Sequence, residues 1–531
     1  MMLRVVYVIF VWQKIVLGFQ HSIVKHCRSV NIQRRVPITQ NKLLVRIHAT
    51  TYREIEEAET ERESLIDDRL GRLGVNKYQA LMAIFVAMVY AADGAEVTVM
   101  SLVARTLGEK WGLESWQRGL LGTSVYSGMF AGGLLCGPVA DSKGRSFTLI
   151  AATALISIFG VLSAYAPSFN LLCLARFIAG IGMGASLPVS SSLLQETVPK
   201  KYKGGLACLV FAGFNLGELF AAKAGIYAFQ RPDPSTWLFL VAAIPAILTW
   251  AVSLIVPESP RFMAAKGDKI GVERWFRRVA KMNNKDIDKD IFPPIRATSD
   301  QTISISSTVE RMCTVTTLKQ DTNDKNQNNI LSTMTNKLRG LFRPGGLRLR
   351  TLVLWSLWMA ANASFYGLIF SLPEALRHAK MSANDVAFDI AKGISRVSAL
   401  QSFSFFCFMP LVFLNVRYNI LFPFAFAGAT ISLLSAGVLA TTTPSPAHLV
   451  TCLAFAKFFY NGVFMMLYPA TGSAYPTNVR ATGVALAGTV GRICTILVPP
   501  VCTKLQEMAA LLPYQLFIVT SSIAFLSSLL L

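Results

Sequence analysis

The sequence predicts an all-α, polytopic membrane protein with twelve transmembrane helices in two bundles of six. First, 53% of the 531 residues are hydrophobic and the mean hydropathy is +0.46, which is too apolar for a soluble chain of this length. Second, twelve apolar runs follow one another, most of them long enough to cross a bilayer core of ~30 Å as helices. Third, one long hydrophilic segment separates the sixth run from the seventh.

The runs have a regular order and a partial internal repeat. Pro199 follows the fourth run and precedes Lys203, and Pro476 follows the tenth run and precedes Arg480 with the same spacing. Repeats of this kind build many secondary transporters, with the substrate site between the halves. The predicted spans are 78–103, 119–140, 146–166, 170–192, 205–228, 236–256, 351–373, 391–414, 418–440, 448–470, 481–503 and 512–531.

The predicted domain organisation follows from these runs. The chain divides into an amino-terminal cytoplasmic or targeting extension, a first six-helix bundle, a partly disordered cytoplasmic loop and a second bundle, at residues 1–72, 73–256, 257–350 and 351–531. For the apolar start of the extension, an interfacial helix, a targeting segment and an incorrectly assigned start remain open.

Three hydrophilic segments carry more local predictions. Residues 54–72 are rich in charge and predict a solvated helix before the membrane. Residues 271–282 predict an amphipathic helix at the membrane surface. Residues 300–329 are polar with few aromatic side chains and predict disorder.

The charge is strongly basic, with 51 Lys and Arg against 30 Asp and Glu. In a soluble protein this balance would suggest nucleic-acid binding. Here the basic residues concentrate in the amino-terminal segment and in short connections on one side of the runs. We therefore expect no nucleic-acid partner, both termini in the cytoplasm, and contact with the lipid bilayer.

Two acidic residues stand inside the first run. Asp93 and Glu96 are three residues apart and share one face of a helix. A charged side chain at membrane depth costs roughly 2.5–3.5 kcal/mol on insertion scales. We expect the pair to face a central cavity and to handle a proton or the substrate, and a structural ion pair inside the bundle is the alternative.

Two motifs in the connections resemble those of the major facilitator superfamily. The sequence G-P-V-A-D-S-K-G-R at 137–145 is similar to the motif between helices two and three, and P-E-S-P-R at 257–261 matches the motif after helix six. The second motif narrows the resemblance to the sugar and organic-ion branches. A-D-G-A-E-V at 92–97 is most similar to synaptic-vesicle-protein-related and organic-ion transporters. The resemblance covers residues 70–531 and implies alternating access by a monomer.

The resemblance also implies a cytoplasmic charge network that latches one conformation. In the second half, residues 415–419 contain no acid, and Ser473 stands where the branch usually has Glu, so we expect a weaker latch there. The residues expected in the latch, partly through helix packing, are Gly137, Asp141, Gly144, Arg145, Arg176, Glu196, Glu258, Arg261 and Arg480.

Arg492 in the eleventh run is the candidate opposite charge. In organic-anion transporters of the resembling branch a cation on this helix serves anionic substrates, so Arg492 favours an anion. A bridge from Arg492 to Asp93 or Glu96 is the structural alternative. Further residues are expected to line the cavity, with packing as the alternative for each: Glu218, Lys223, Asn362, Tyr366, Tyr460 and Asn461.

Motifs for other chemistry are absent from the sequence. It contains no G-x-x-x-x-G-K-[ST], H-E-x-x-H, C-x-x-C or G-x-S-x-G, so we expect no nucleotide-driven pump, metal site, cofactor or enzyme.

The sequence therefore predicts a secondary transporter of a small organic ion, favouring an anion, coupled to protons through Asp93 or Glu96. A facilitator of sugars or other neutral solutes and a non-transporting binding or trafficking protein remain the alternatives. The plasma membrane is the default location, with an organelle membrane open.

Overall fold

The computed structural model of the chain describes residues 61–286, 291, 295–296, 302–303, 342, 347–378, 386–414, 416–442, 446–475, 477–509 and 511–530. The predictions for residues 1–60 and for almost all of 300–329 lie outside the described residues, as does residue 415 of the second-half connection.

The first half of the described chain contains a short helix followed by six long ones. A 3-10 turn at Lys200–Tyr202 precedes α6, and two short helices follow α7. The helices are α1 (61–73), α2 (Lys77–Trp111), α3 (Ser115–Lys143), α4 (Arg145–Ala164), α5 (Phe169–Thr197), α6 (Lys203–Ala228), α7 (Pro234–Ser253), α8 (Pro260–Ala265) and α9 (Lys269–Met282). A two-residue strand β1 (Ile295–Arg296) pairs antiparallel with β2 (Thr302–Ile303).

The second half repeats the pattern with one interruption. The eighth predicted run of the chain, at 391–414, is divided at Phe403 into two helices rather than forming one. The helices are α10 (Leu347–His378), α11 (Val386–Ser402), α12 (Ser404–Phe413), α13 (Tyr418–Thr442), α14 (Pro446–Ala474), α15 (Thr477–Met508) and α16 (Leu512–Ser528).

These helices confirm the predicted fold class. Among the described residues, ten helices are long and apolar enough to cross a membrane, and α16 is a shorter apolar helix. The divided pair α11 and α12 accounts for the remaining predicted run. The chain is an all-α, multi-pass membrane protein, and each of the twelve apolar runs contains helix.

Glycines set the distance between the helices that carry the candidate residues. A Cβ atom on Gly132 of α3 would lie 2.0 Å from the carbonyl oxygen of Ile181 on α5, and one on Gly184 would lie 2.0 Å from that of Met129. Any larger side chain would therefore separate the two helices, as in the small-residue packing of membrane helices generally. Gly217 of α6 approaches Ala91 of α2 in the same way, at 1.9 Å.

The helices α1 and α9 contribute to one buried apolar cluster, which differs from the sequence prediction. Ile66 and Leu70 of α1 are fully buried, although this segment was expected to be solvated. Phe276 of α9 is fully buried, and Trp275 contacts Tyr78 edge to face at 5.5 Å. The apolar face of α9 therefore contacts protein instead of lipid, because α1 and the start of α2 supply a matching apolar surface.

Candidate substrate and coupling site

A small cavity of about 40 Å³ lies between helices of the first and second halves. It is bounded by α3 and α5 on one side and by α10, α14 and α15 on the other. Five aromatic side chains and one cation contribute most of its chemical character. The lining residues are Tyr126, Met129, Leu187, Trp358, Asn362, Tyr366, Phe464, Tyr468, Gly488, Arg492 and Thr495.

Arg492 is the charged residue of this lining. Its Nη1 donates one long hydrogen bond, 3.4 Å, to the carbonyl oxygen of Met129. The guanidinium occupies space left by Gly133, where a Cβ atom would lie 1.8 Å from Nη1. In the described part of the chain Arg492 forms no ion pair, so its charge faces a cavity without a carboxylate.

The cavity walls are aromatic and include a fixed polar pair. The rings of Tyr126 and Tyr366 meet across the two halves with centroids 5.3 Å apart, and Trp358 contacts Tyr468 at 4.8 Å. Asn362 donates to the carbonyl oxygen of Trp358 at 2.8 Å, and its Oδ1 accepts from a neighbouring threonine at 3.2 Å. Asn362 and Tyr366, both expected to line the cavity, are thus placed in it.

Glu96 contacts Arg176 and not Arg492. Arg176 Nη1 lies 2.6 Å from Glu96 Oε2, and each side chain is only 1% exposed. Arg176 also donates to Ser163 Oγ at 2.7 Å and lies over the ring of Phe239. The structure thereby corrects two expectations. The partner of Glu96 comes from its own half of the chain, and Arg176 belongs to this buried pair instead of the cytoplasmic network.

Asp93 is fully buried one turn before Glu96 on the same helix. Its carboxyl group accepts from Ser186 Oγ at 3.3 Å, and it forms no ion pair within the described residues. Asp93 is therefore a buried carboxyl group without a cation in contact.

A second buried ion pair joins the two halves. Lys457 Nζ of α14 lies 3.1 Å from Glu218 Oε2 of α6, with side chains 3% and 0% exposed. Asn461 lies one turn further along α14 and donates to Ser404 Oγ at 2.6 Å. Glu218 and Asn461 were expected in the cavity lining but belong to this separate cluster.

Two further lining predictions differ from the structure. Lys223 is exposed on the surface of α6, because five residues after Glu218 the helix presents the opposite face. Tyr460 is fully buried and its hydroxyl bonds to that of Ser521 on α16, so it packs within the second half. Neither side chain is in the cavity lining.

A charge cluster forms at the start of α4. Arg145 lies 3.2 Å from Asp141 and 3.1 Å from Glu196. Glu258 accepts from the backbone N–H of Arg145 at 3.0 Å and from that of Ser146 at 3.1 Å, so its carboxylate caps the helix. Burial raises the pKa of the Glu258 carboxyl group above its ordinary value, against the opposing effect of these hydrogen bonds.

The other expected latch residues have different surroundings. Gly144 has φ of 104° and directly precedes α4, a backbone conformation that favours glycine. Arg261 bonds to Asp67 of α1 instead of joining the Arg145 cluster. Gly137 is exposed, with open space where a side chain would start. The side chain of Arg480 lies outside the described residues.

The halves also meet at the end of α3 opposite the Arg145 cluster. Arg105 of α2 lies 2.9 Å from Glu374 of α10. Thr123 donates to the carbonyl oxygen of Ile496 at 2.9 Å, and a Cβ atom on Gly119 would lie 2.7 Å from the Cα atom of Pro500. Sequence reasoning missed these contacts, because nothing in either half indicates which helix ends face each other.

Comparison with known proteins identifies the class to which this fold and cavity belong. The profile of the sugar (and other) transporter family matches residues 75–530. The chain belongs to this family, whose members are transporters and not enzymes.

Three relatives illustrate the range of the family. The chain is 23% identical to a synaptic vesicle 2-related protein from Bos taurus, over 84% of this chain and 77% of the relative. It is 24% identical to organic cation/carnitine transporter 7 from Arabidopsis thaliana, over 86% and 92%. It is 27% identical to the 4-hydroxybenzoate transporter PcaK from Pseudomonas aeruginosa, over 80% and 85%.

A solved structure shows the same fold. The xylose transporter XylE from E. coli, in a partially occluded inward open conformation, superposes with a TM-score of 0.62 at 16% identity. The match covers 85% of this chain and 98% of that one. The predicted resemblance to the major facilitator superfamily and its sugar and organic-ion branches is confirmed.

Proposed function

We propose that the chain is a secondary transporter of a small organic anion whose carboxylate binds Arg492. The observation that carries the proposal is a partly buried guanidinium that lines the cavity without an ion-pair partner among the described residues. A guanidinium stays charged and presents a fork of donors that fits a carboxylate. Without an anion this charge is poorly compensated, and a bound carboxylate would supply the missing partner.

The aromatic walls favour a planar or apolar body for the substrate. Tyr126, Tyr366 and Phe464 offer ring faces and edges to the cavity. Asn362 and Thr495 add hydrogen-bonding groups for a hydroxyl substituent. An aromatic monocarboxylate meets all of these groups, and the relative PcaK is named for such a compound.

An organic cation is the second candidate, because another relative is named for cations and carnitine. Five aromatic rings could contact a quaternary ammonium group through cation–π interactions. The lining contains no carboxylate, however, and its charged side chain is positive. These two observations favour the anion.

We further propose alternating access between two bundles, residues 73–256 and 351–531, joined by the loop 257–350 and preceded by the extension 1–72. The contacts of Arg105 and Gly119 close the cavity at one end of α3. The basic connections at the other end support a cytoplasmic location for that end and for both termini. A monomer in the plasma membrane is the default arrangement, and the synaptic-vesicle relatives make an organelle membrane the alternative.

Proton coupling is assigned to the Glu96–Arg176 pair and to Asp93. The ion pair is 1% exposed at each side chain, and Asp93 is buried with only a serine in contact. Protonation of Asp93 would remove the cost of burying a carboxylate without a cation. A substrate anion on Arg492 would neutralise a positive charge in the interior, and the loss of positive charge favours protonation of a buried carboxyl group.

Uptake into proteoliposomes tests the proposal. Labelled benzoate, 4-hydroxybenzoate, tetraethylammonium and xylose are compared with and without an imposed pH gradient. We expect uptake of the aromatic carboxylates and its loss in Arg492→Gln, with Arg417→Gln as the matched control because Arg417 is exposed. Uptake of the cation or the sugar alone would contradict the anion proposal. No flux of any compound would favour a binding or trafficking protein.

A further inference from the structure

The ion pair between Glu218 and Lys457 connects α6 of the first half to α14 of the second half. Lys457 Nζ contacts both carboxylate oxygens, at 3.1 and 3.2 Å. Both side chains are at most 3% exposed, so water does not compensate for either charge. The ammonium group also lies 5.6 Å from the centre of the Phe365 ring. We call this ion pair the inter-half tie.

Polar groups next to the inter-half tie have unused hydrogen-bonding capacity. Gln401 of α11 donates to Asn215 Oδ1 at 2.7 Å, and both residues are at most 1% exposed. Among the described residues, the Nδ2 donor of Asn215 and the Oε1 acceptor of Gln401 are buried without a partner. Buried polar groups are normally satisfied, so these two atoms could each bond to another polar group or to water.

The inter-half tie is close to the cavity but separated from it by aromatic rings. Phe365, which carries the cation–π contact, lies 5.0 Å from Phe464 between ring centroids. Phe464 lines the cavity that contains Arg492. The rings of Phe464 and Phe365 therefore stand between the cavity and Lys457.

The distribution of charge makes Lys457 depend on the first half of the chain. Residues 351–531 contain four acidic residues, Glu374, Asp385, Asp389 and Glu507. The three that the structure describes, Glu374, Asp389 and Glu507, lie in the terminal turns of their helices or close to them. Lys457, in contrast, lies about 16 Å from the start of α14, so none of these three carboxylates is placed to replace Glu218 when the halves separate at the tie.

We propose that Lys457 is a second anion-binding residue. It binds Glu218 in this conformation, and it binds a substrate carboxylate when the inter-half tie opens. The inference deepens the proposed function, since it assumes that the two halves move relative to each other. Removing one partner of a buried ion pair is strongly unfavourable, so an anion that replaces Glu218 makes separation of the halves possible. Arg492 would receive the substrate first, and Lys457 would hold it during the transition.

Binding of benzoate to the purified full-length protein in lipid nanodiscs tests this inference. Glu218→Gln leaves Lys457 without its carboxylate, so benzoate affinity should rise at least about tenfold, as expected for a hydrogen bond to a charged group. Lys457→Gln and the double variant Glu218→Gln/Lys457→Gln should show no gain. Lys223→Gln, an exposed lysine on the same helix as Glu218, should match the wild type.

Two results would overturn the inference. One is an unchanged affinity in Glu218→Gln, and the other is an equal gain in the double variant, which lacks Lys457. If Glu218→Gln does not give folded protein, Glu218→Asp is used instead. It shortens the side chain by one methylene group, weakens the inter-half tie and should give a smaller gain in benzoate affinity. An affinity equal to that of the wild type in Glu218→Asp would then contradict the inference.

The proposed function fails in a different way. If Arg492→Gln binds benzoate like the wild type while Glu218→Gln gains affinity, the role of Arg492 is wrong and that of Lys457 stands. If Arg492→Gln loses binding and Glu218→Gln gains nothing, the role of Lys457 is wrong and the proposed function stands.

Discussion

Neutralising one member of the Glu96–Arg176 pair tests whether this ion pair stabilises the first half and carries the proton. The two side chains are 2.6 Å apart and 1% exposed, so Glu96→Gln leaves a buried guanidinium without a counter-charge. Removing one partner of such a pair costs about 3–5 kcal/mol. We expect a clear fall in the melting temperature of the detergent-purified protein, measured by intrinsic fluorescence.

The double variant Glu96→Gln/Arg176→Gln separates the pair from its surroundings. With both charges removed, most of the lost stability should return, because no uncompensated charge remains. The single variants are expected to lie well below both the wild type and the double variant. A double variant as unstable as the sum of the single variants would refute the reasoning, since the two residues would then act independently.

The same variants address coupling. In proteoliposomes, Glu96→Gln should abolish accumulation of benzoate driven by a pH gradient and leave exchange of benzoate between the two sides of the membrane. Asp93→Asn should have the same effect, because coupling is assigned to both carboxyl groups. Wild-type uptake indifferent to pH, together with unchanged uptake in both variants, would contradict proton coupling.

Three further predictions concern packing and the contacts at the two ends of the bundle. Gly184→Ala should lower the melting temperature because its Cβ atom would lie 2.0 Å from a carbonyl oxygen, whereas Gly137→Ala, with nothing within 4 Å, should leave it unchanged. Glu258→Gln should lower stability by about 0.5–2 kcal/mol, the usual loss for a helix cap, and a melting temperature equal to that of the wild type would contradict its capping role. Arg105 contacts Glu374 at 2.9 Å, so Arg105→Gln should open this end of the bundle. The opening is measured as faster labelling of a cysteine introduced in the cavity. Unchanged labelling would show that this contact does not hold the end closed.

The fold could be predicted from hydropathy because membrane helices are long and continuous in sequence. The exceptions have local causes. The helix at 61–73 was expected to be solvated because its charges dominate the composition, whereas Ile66 and Leu70 form an apolar stripe at helical spacing that is buried. The division at Phe403 lies within an apolar run, where neither glycine nor proline marks a boundary.

The candidate site was less predictable, since its geometry depends on which helices are neighbours. Asp93 and Glu96 were expected to face the cavity and are not in its lining, whereas Asn362 and Tyr366 are. The partner of Glu96 could not be read from the sequence, because helical spacing fixes the face of one helix and not the helix opposite. The pairing of Glu218 with a lysine far along the chain was missed for the same reason.

The two buried ion pairs have different consequences if the halves move as rigid bodies. Glu96 and Arg176 belong to the same half, so their contact at 2.6 Å can persist through the whole cycle. Glu218 and Lys457 belong to different halves, so their contact at 3.1 Å has to lengthen or find substitutes when the halves separate. The first pair can therefore respond to a proton without changing the contact between the halves, while the second pair links that contact to the presence of an anion.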